Sequence, residues 1–434
     1  MKSSAMARTF ELAKLAAQVG MKELRSADFN SRVEQAALIA KSLSQLKGAA
    51  MKVGQLLSLE LDNYFPPEAV KILGQLQNAA VAHPFAEIEK IIKIELGPVL
   101  YKSLQALSPT PIAVASIGQV HKACYQDRDI VIKIQFAGVA DSVESDLKIL
   151  KTLASSFCQI SGRKMNLHPF FEEFRAVLEQ ELDYVAEAKF QTEFRQKIMT
   201  LNKNAACNYR VPEVINELSA QRIIAMNFEP GLTFRQWLYT KPSQAKKDLV
   251  ATAILDLYFH EFFEWGLVQT DPNWGNFLIG ENGSDINICL LDFGATRKYS
   301  REFIQNYIQL LGFASNNQTQ QLRALAIEMG LIDAREAESA FRAFEEMLNI
   351  AIKPFFSNQA GSAFFDFSDI NHSLASQSAA KVLAGELVYS PPPHSIVFLH
   401  RKLAGVYSIL KSLEVQLDIS PYWQMMKDLS QSGR

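Results

Sequence analysis

The sequence predicts an α+β fold of two lobes preceded by a helical segment. Three observations carry this: a helical pattern before residue 105, short β-branched runs between residues 113 and 228, and a mostly helical pattern after residue 233. A chain of 434 residues has the length for two or three lobes with real cores. Its 48% hydrophobic and 21% charged residues are those of an ordinary globular protein. A net charge of -2 offers no electrostatic argument for nucleic acid as a partner. The four cysteines, Cys124, Cys158, Cys207 and Cys289, are scattered without a C-x-x-C, which fits a reducing compartment and no disulfide or zinc framework. The seven histidines form no H-E-x-x-H.

The preface comes first. Residues 1–30 mix Lys2, Arg8, Lys14, Lys22 and Arg25 with Met6, Phe10, Leu12, Leu15, Val19 and Leu24, a basic amphipathic pattern. It reads as a surface helix, a helix lying on a membrane, or an organellar targeting segment. Residues 31–65 read as helix because Leu43, Leu46, Ala50, Val53 and Leu57 recur at three- and four-residue steps until Pro66-Pro67. A second helix spans 84–97 and ends at Gly97-Pro98. No run of about 18 apolar residues exists for a membrane span. The nearest, Ala251 to Val268, is broken by Asp256, His260, Glu261 and Glu264. The expected location is cytoplasmic or peripheral on a membrane, with organellar targeting the other reading.

The first lobe, 106–230, is β-rich. Ile117–Tyr125 and Ile130–Gln135 flank the polar turn Gln126–Asp129, a hairpin signal. Helices follow at 140–157 and 168–198, then two more strands, Tyr209–Ile215 and Arg222–Phe228, before Pro230-Gly231. The second lobe, 231–434, is helical apart from strands at Phe277–Ile279 and Ile286–Leu291. It closes on a helix at 395–415 after Pro391-Pro392-Pro393. That final helix carries Arg401, Lys402 and Lys411 beside Phe398, Leu399, Leu403 and Leu410, and reads as packing on one face, with contact to lipid or a partner as the other reading.

The chemistry sits in Asp271-Pro272-Asn273-Trp274-Gly275-Asn276 followed by Asp292-Phe293-Gly294. An Asp, an Asn five residues on and then D-F-G is the order of a kinase-type phosphoryl-transfer site. There the first Asp orients the nucleophile, and the Asn and second Asp hold Mg²⁺ against the ATP phosphates. The plan is therefore bilobal and protein-kinase-like. Lys133, in Ile130-Val131-Ile132-Lys133, matches the strand lysine that reaches the α- and β-phosphates and is held by a helix glutamate. Glu181, Asp183 and Glu187 are the candidates for that partner. Asp183 and Glu187, four apart, share a helix face, and Glu187 is the choice. Glu181 and Asp183 are then left to serve another cation.

Where a kinase has a G-x-G-x-x-G loop, this chain has Ala113-Val114-Ala115-Ser116-Ile117-Gly118. Methyl groups restrict the close backbone approach that glycine permits, so an altered nucleotide pose or selectivity is expected. Asn227, Phe228 and Glu229, where the strand Arg222–Phe228 runs into Pro230-Gly231, complete the cofactor-binding candidates. Gln269-Thr270 replaces the usual His-Arg before the Asp, and no A-P-E follows D-F-G. The peptide-docking platform of an ordinary protein kinase is thus not expected. Lys52-Val53-Gly54-Gln55 places a glycine inside a helix at a cost of about 1 kcal/mol, which points to close packing against another element.

From about residue 30 to 415, these motifs resemble the UbiB/ADCK (aarF-domain) atypical kinases. The resemblance rests on Lys52-Val53-Gly54-Gln55, Ala113–His121, Glu181-Leu182-Asp183, Thr270–Phe277 and Leu291–Arg297. The T-D-P-N-W-G-N-F form looks most like the branch that supports coenzyme Q (ubiquinone) biosynthesis. The resemblance implies a kinase-like fold whose K-x-G-Q extension, within 31–105, packs over the usual substrate site. It implies Mg-ATP binding through Lys133, Glu187, Asn276 and Asp292, with Asp271 in the catalytic-loop role. Lys52, Gln55, Glu181 and Asp183 would be family-specific active-site groups. The implied activity is ATP hydrolysis coupled to handling of isoprenoid-quinone precursor lipids, with quinone-biosynthesis proteins and a membrane surface as further partners. A true protein kinase and a non-enzymatic, nucleotide-gated lipid-binding scaffold are the alternatives. Val114 departs from the family's alanine-rich loop, and no membrane span is expected beside the domain, so any membrane attachment is expected to be peripheral.

Overall fold

The turn expected at Gln126–Asp129 is made by two residues. In the computed structural model Gln126 and Asp127 have φ of 49° and 59°, the left-handed pair that a tight hairpin with right-handed strand twist demands. Residues 82–160, 168–202, 207–271, 273–283, 285–360, 364–388 and 394–432 are described. The N-terminal basic stretch, the helix expected at 31–65 and the K-x-G-Q segment with Lys52 and Gln55 lie outside the described residues. The chain divides into two compact units. One ends at Phe190 and takes back Glu213–Phe228; the other comprises Gln191–Pro212 and Glu229–Arg434.

The first unit opens with α1 (Phe85–Ser103). Gly97 bends it, with φ 70° and ψ 174°, a backbone state that suits glycine. The helix expected to end at Gly97-Pro98 instead resumes, because a proline is well tolerated at the first position of the next turn. Strands β1 (Ala113–Val114), β2 (Gly118–Tyr125), β3 (Arg128–Gln135) and β5 (Ile223–Asn227) form an antiparallel sheet in the order β1-β2-β3-β5. The central strand β3 buries Ile130, Ile132 and Ile134 completely, as a strand covered on one face should. Helices α2 (Val139–Ile160), α3 (His168–Leu182) and α4 (Tyr184–Leu201) follow. The single helix expected at 168–198 is two, broken at Asp183. Its Oδ1 accepts the Ala186 N–H at 2.9 Å and so starts α4 as an N-cap.

The strand expected at 209–215 is split: Val214 bridges Met226 of β5 in the first unit, while its start belongs to another sheet. β4 (Asn208–Arg210) lies in the second unit, parallel to β9 (Asp285–Leu290). There the sheet order is β4-β9-β8-β6, with β6 (Leu232–Thr233) and β8 (Phe277–Asn282). Helix α5 (Phe234–Tyr239) begins in a reciprocal capping box between Thr233 and Gln236. Helix α6 (Gln244–Phe259) runs on as a π turn, His260–Trp265, ended by Gly266 at φ 60°. A side chain at Gly266 would meet the Tyr299 carbonyl at 2.6 Å, so the position requires glycine twice over. β7 (Leu267–Gln269) and β10 (Thr296–Lys298) form an antiparallel pair that brackets the Asp271 and Asp292 motifs.

The rest of the unit is helical: α7 (Arg301–Ser315), α8 (Thr319–Glu328), α9 (Glu338–Ile352), α10 (Ile370–Glu386), α11 (His394–Leu413) and α12 (Ser420–Ser432). A two-strand pair, β11 (Phe365–Asp366) with β12 (Gln416–Leu417), joins distant parts of it. The helix expected at 395–415 is α11, while α12 is an addition. Among the described residues no helix is long and apolar enough to cross a membrane.

Candidate active site

Lys133 stands on β3 opposite Val120 of β2 and Ile224 of β5, so its backbone is held from both sides. Its Nζ reaches Glu187 Oε1 at 2.7 Å and Oε2 at 2.9 Å. The Tyr184 ring centre lies 5.1 Å from the same ammonium. Glu187 is in the first turn of α4, where the helix dipole favours a negative charge. The expected Lys133–Glu187 pair is thus formed within the first unit. Asp183 does not share a helix face with Glu187, as expected from their spacing, but caps the helix that carries it. Glu181 is buried at the end of α3. The link between α3 and α4 is tied down by Gln135, whose Nε2 donates to the Leu182 carbonyl at 3.0 Å.

The glycine-poor loop is an edge strand and a tight turn. Ala113 and Val114 pair with Val120 and Gln119, and the Ala115 N–H donates to the Gly118 carbonyl at 2.8 Å. Ser116 lies inside that turn and is half-buried. Gly118 is the glycine this motif needs: a Cβ there would lie 2.4 Å from the Ile134 carbonyl oxygen and 2.8 Å from the Tyr184 hydroxyl. Gln119 and His121, both fully buried, face the start of the described chain. Gln119 accepts the His83 N–H at 2.8 Å, and His121 Nδ1 lies 2.7 Å from the Ser108 carbonyl. Burial holds the His121 imidazole below its ordinary pKa, against the opposing pull of the Ser108 carbonyl. Of the remaining cofactor candidates, Asn227 ends β5, and Phe228 packs its ring 3.6 Å from Lys122 Nζ. Glu229, in the second unit, pairs with Arg210 at 3.4 Å.

The second unit brings Asp271, Asn276 and Asp292 together. Thr270 fixes the approach to Asp271 by donating both its N–H, at 3.1 Å, and its hydroxyl, at 2.7 Å, to the Ala295 carbonyl. Asn273 accepts the Gly275 N–H at 2.9 Å and shapes the turn that delivers Asn276. Asn276 Nδ2 donates to the Asp271 carbonyl at 3.5 Å, and its own carbonyl accepts the Leu291 N–H at 3.0 Å, one residue before Asp292. Asp292 turns Oδ1 onto the Gly294 N–H at 3.0 Å. Phe293 is fully buried with its ring centre 5.0 Å from that of Phe194.

Two groups here were not singled out as site residues from sequence. Gln269 donates its side-chain amide to the Asp292 carbonyl, so the glutamine in place of histidine still ties the catalytic loop to D-F-G. Arg401, from α11, places Nη2 3.4 Å from Asp271 Oδ1. The motif lacks its usual arginine, and a guanidinium reaches the same aspartate from 130 residues downstream. Sequence showed Arg401 only as one of several cations on a packed helix.

Among the described residues no three His, Cys, Asp or Glu side chains cluster as a metal site. Asn276 and Asp292 nonetheless fit a magnesium ion carried by a polyphosphate. Such an ion takes one or two protein oxygens and completes its shell with phosphate and water. The Asn276 amide is oriented by donation to the Asp271 carbonyl, and the Asp292 carboxylate by the Gly294 N–H.

A family model described as the ABC1 atypical kinase-like domain matches residues 75–326. The chain belongs to this family. The matched stretch takes in Lys133, Glu187, Asp271, Asn276 and Asp292 and stops short of Arg401. The chain is 31% identical over 419 residues to "Atypical kinase COQ8, mitochondrial" of Saccharomyces cerevisiae, covering 93% of this chain and 81% of that protein. It is 31% identical over 404 residues to "Probable serine/threonine-protein kinase abkA" of Dictyostelium discoideum, covering 90% and 70%. With "Atypical kinase coq-8, mitochondrial" of Caenorhabditis elegans it shares 30% identity over 87% of this chain and 48% of that protein. The fold is similar to that of Rv3197 from Mycobacterium tuberculosis, solved with erythromycin, at a TM-score of 0.59. That likeness covers 91% of this chain and 95% of the other at 23% identity. The family bears out the kinase-like fold and a kinase-type enzyme.

Proposed function

We propose that this family member binds Mg-ATP and hydrolyses it in support of isoprenoid-quinone biosynthesis, through handling of quinone-precursor lipids. The observation that carries the reading is the arrangement of Asp271, Asn276 and Asp292 in one bonded loop system, together with a formed Lys133–Glu187 pair. Lys133, held by Glu187, engages the ATP phosphates. Asn276 and Asp292 would hold Mg²⁺, which supplies neutralisation of the charge on the transferring phosphoryl group. Asp271 orients a water whose oxygen bonds to the γ-phosphorus as the bond from that phosphorus to the β–γ bridging oxygen breaks, giving ADP and phosphate. Arg401 fixes the Asp271 carboxylate for that task. The quinone context rests on the resemblance of the T-D-P-N-W-G-N-F motif and on relatives named COQ8.

The test is phosphate release from Mg-ATP by the purified full chain, with and without anionic liposomes and a ubiquinone-precursor phenol, beside Asp292→Ala. Turnover stimulated by lipid and lost in the variant is expected. ATP binding with no turnover under any condition would favour the nucleotide-gated scaffold. Transfer of labelled phosphate to a protein, lost in Asp271→Ala, would favour the protein kinase.

A further inference from the structure

Lys402 is next to Arg401 on α11, yet it points elsewhere. Its Nζ lies 3.0 Å from Glu261 Oε2 and 3.3 Å from Oε1, with side-chain exposures of 3% and 0%. A carboxylate so deeply buried is costly, and burial indeed pushes the Glu261 carboxyl up in pKa while the Lys402 ammonium pulls it back. An apolar pair of the same volume would pack at least as well, so the ion pair asks for a reason beyond stability.

The bonds leading away from it supply one. Glu261 Oε2 accepts the Gln269 N–H at 3.2 Å. Gln269, fully buried, in turn donates its side-chain amide to the Asp292 carbonyl. Gln269 is also the last residue of β7, paired with Thr296 of β10 just beyond D-F-G. One continuous chain of contacts therefore runs from Lys402 through Glu261 and Gln269 to the backbone of Asp292. The first two links are buried and the third partly so, where hydrogen bonds are directional and expensive to leave unmade.

We propose that Lys402 is a positioning residue for the metal-holding end of the site, setting the Asp292 carboxylate through Glu261 and Gln269. Lys402 touches neither nucleotide nor metal. Its ammonium keeps Glu261 in place as an acceptor, which fixes the Gln269 backbone. The Gln269 amide then fixes the Asp292 carbonyl, and with it the direction of the side chain. This rests on the Mg-ATP reading above.

The test is the Mg²⁺ concentration that half-saturates ATP binding, measured by calorimetry at fixed ATP on the full chain. Affinity for ATP without Mg²⁺ is measured in parallel. Lys402→Met is expected to raise the Mg²⁺ requirement about tenfold, as the loss of one buried hydrogen-bond link would. Binding of Mg-free ATP stays as in the unaltered chain. Gln269→Leu, which leaves the ion pair intact, gives the same rise, and the double variant rises no further. Lys402→Arg, keeping a buried cation, stays within about twofold. A chain that loses thermal stability in Lys402→Met but keeps its Mg²⁺ dependence overturns the proposal, since that is all a merely structural pair would do. If Lys402→Met does not fold, Gln269→Leu and Lys402→Arg decide, and an unchanged requirement in Gln269→Leu overturns it. Absence of Mg-dependent binding in the unaltered chain sinks the nucleotide reading and this proposal together.

Discussion

Replacing Lys133 by Met should destabilise the protein more than replacing Glu187 by Gln, and adding the second change to the first should restore stability. The reason is the unequal burial of the pair, with Glu187 1% exposed and Lys133 12%. At a separation of about 2.8 Å and an effective dielectric of about 20, the gross attraction is roughly 6 kcal/mol. Desolvation cancels most of it. What remains visible is the cost of removing one charge and keeping the other. Lys133→Met removes the ammonium 2.7 Å from a carboxylate with almost no access to water, at about 3–4 kcal/mol. Glu187→Gln keeps a carbonyl acceptor for a lysine that retains some solvent and the Tyr184 ring, at about 1–2 kcal/mol. Lys133→Met/Glu187→Gln removes both charges of the pair and should regain about 2 kcal/mol over Lys133→Met alone. Urea unfolding midpoints of the four chains give the comparison, provided the slopes agree. A double variant no more stable than Lys133→Met would refute the reasoning, because Glu187 would then not be a buried charge dependent on its partner.

Two glycines should respond in opposite directions. Gly118→Ala forces a Cβ to 2.4 Å from a backbone oxygen in a paired strand and should cost about 2 kcal/mol or more, read as a lower melting temperature. Gly312→Ala, inside α7 with no atom within 4 Å of the new methyl, should gain about 0.5–1 kcal/mol by the same measurement. Arg401→Met should lower ATP turnover by about tenfold with little change in ATP affinity, since it acts on Asp271 rather than on the phosphates; an equal loss of binding would count against this role. His121 should make the fold acid-labile. Its folded-state pKa is depressed by burial, so its contribution is complete above the ordinary value of about 6.5 and is lost as pH falls through the folded value. His121→Gln should flatten the fall of the urea midpoint over that range.

The parts of the site that were legible in sequence are those set by local backbone. Asp271, Asn276 and Asp292 lie within 22 positions, on turns and short strands whose spacing places them together. The Lys133–Glu187 pair, 54 positions apart, was legible because a strand lysine without a partner is implausible in this motif context. The geometry around it was read less well. A helix pattern continuous from 168 to 198 does not reveal that Asp183 prefers to cap α4, since a capping side chain and a helical one have the same identity. Strand pairing was opaque for a related reason. Tyr209 and Ile223 both belong to β-branched or aromatic runs, and propensity says nothing of which sheet a run joins.

Periodicity, turn residues and the D-x-x-x-x-N and D-F-G spacings thus determine by themselves the α+β class, the hairpin and the proximity of Asp271, Asn276 and Asp292. These are properties of neighbours along the chain, where covalent geometry does the bringing together. Only the tertiary structure decided that Arg401 meets Asp271 and that Lys402 meets Glu261 across 141 positions. On α11 both are simply cations among apolar residues. Which of them is buried, and against what, follows from the packing of α11 beside α6 and the catalytic loop. A buried charge finds its partner through the whole core at once, because only there does the cost of leaving it unpaired arise.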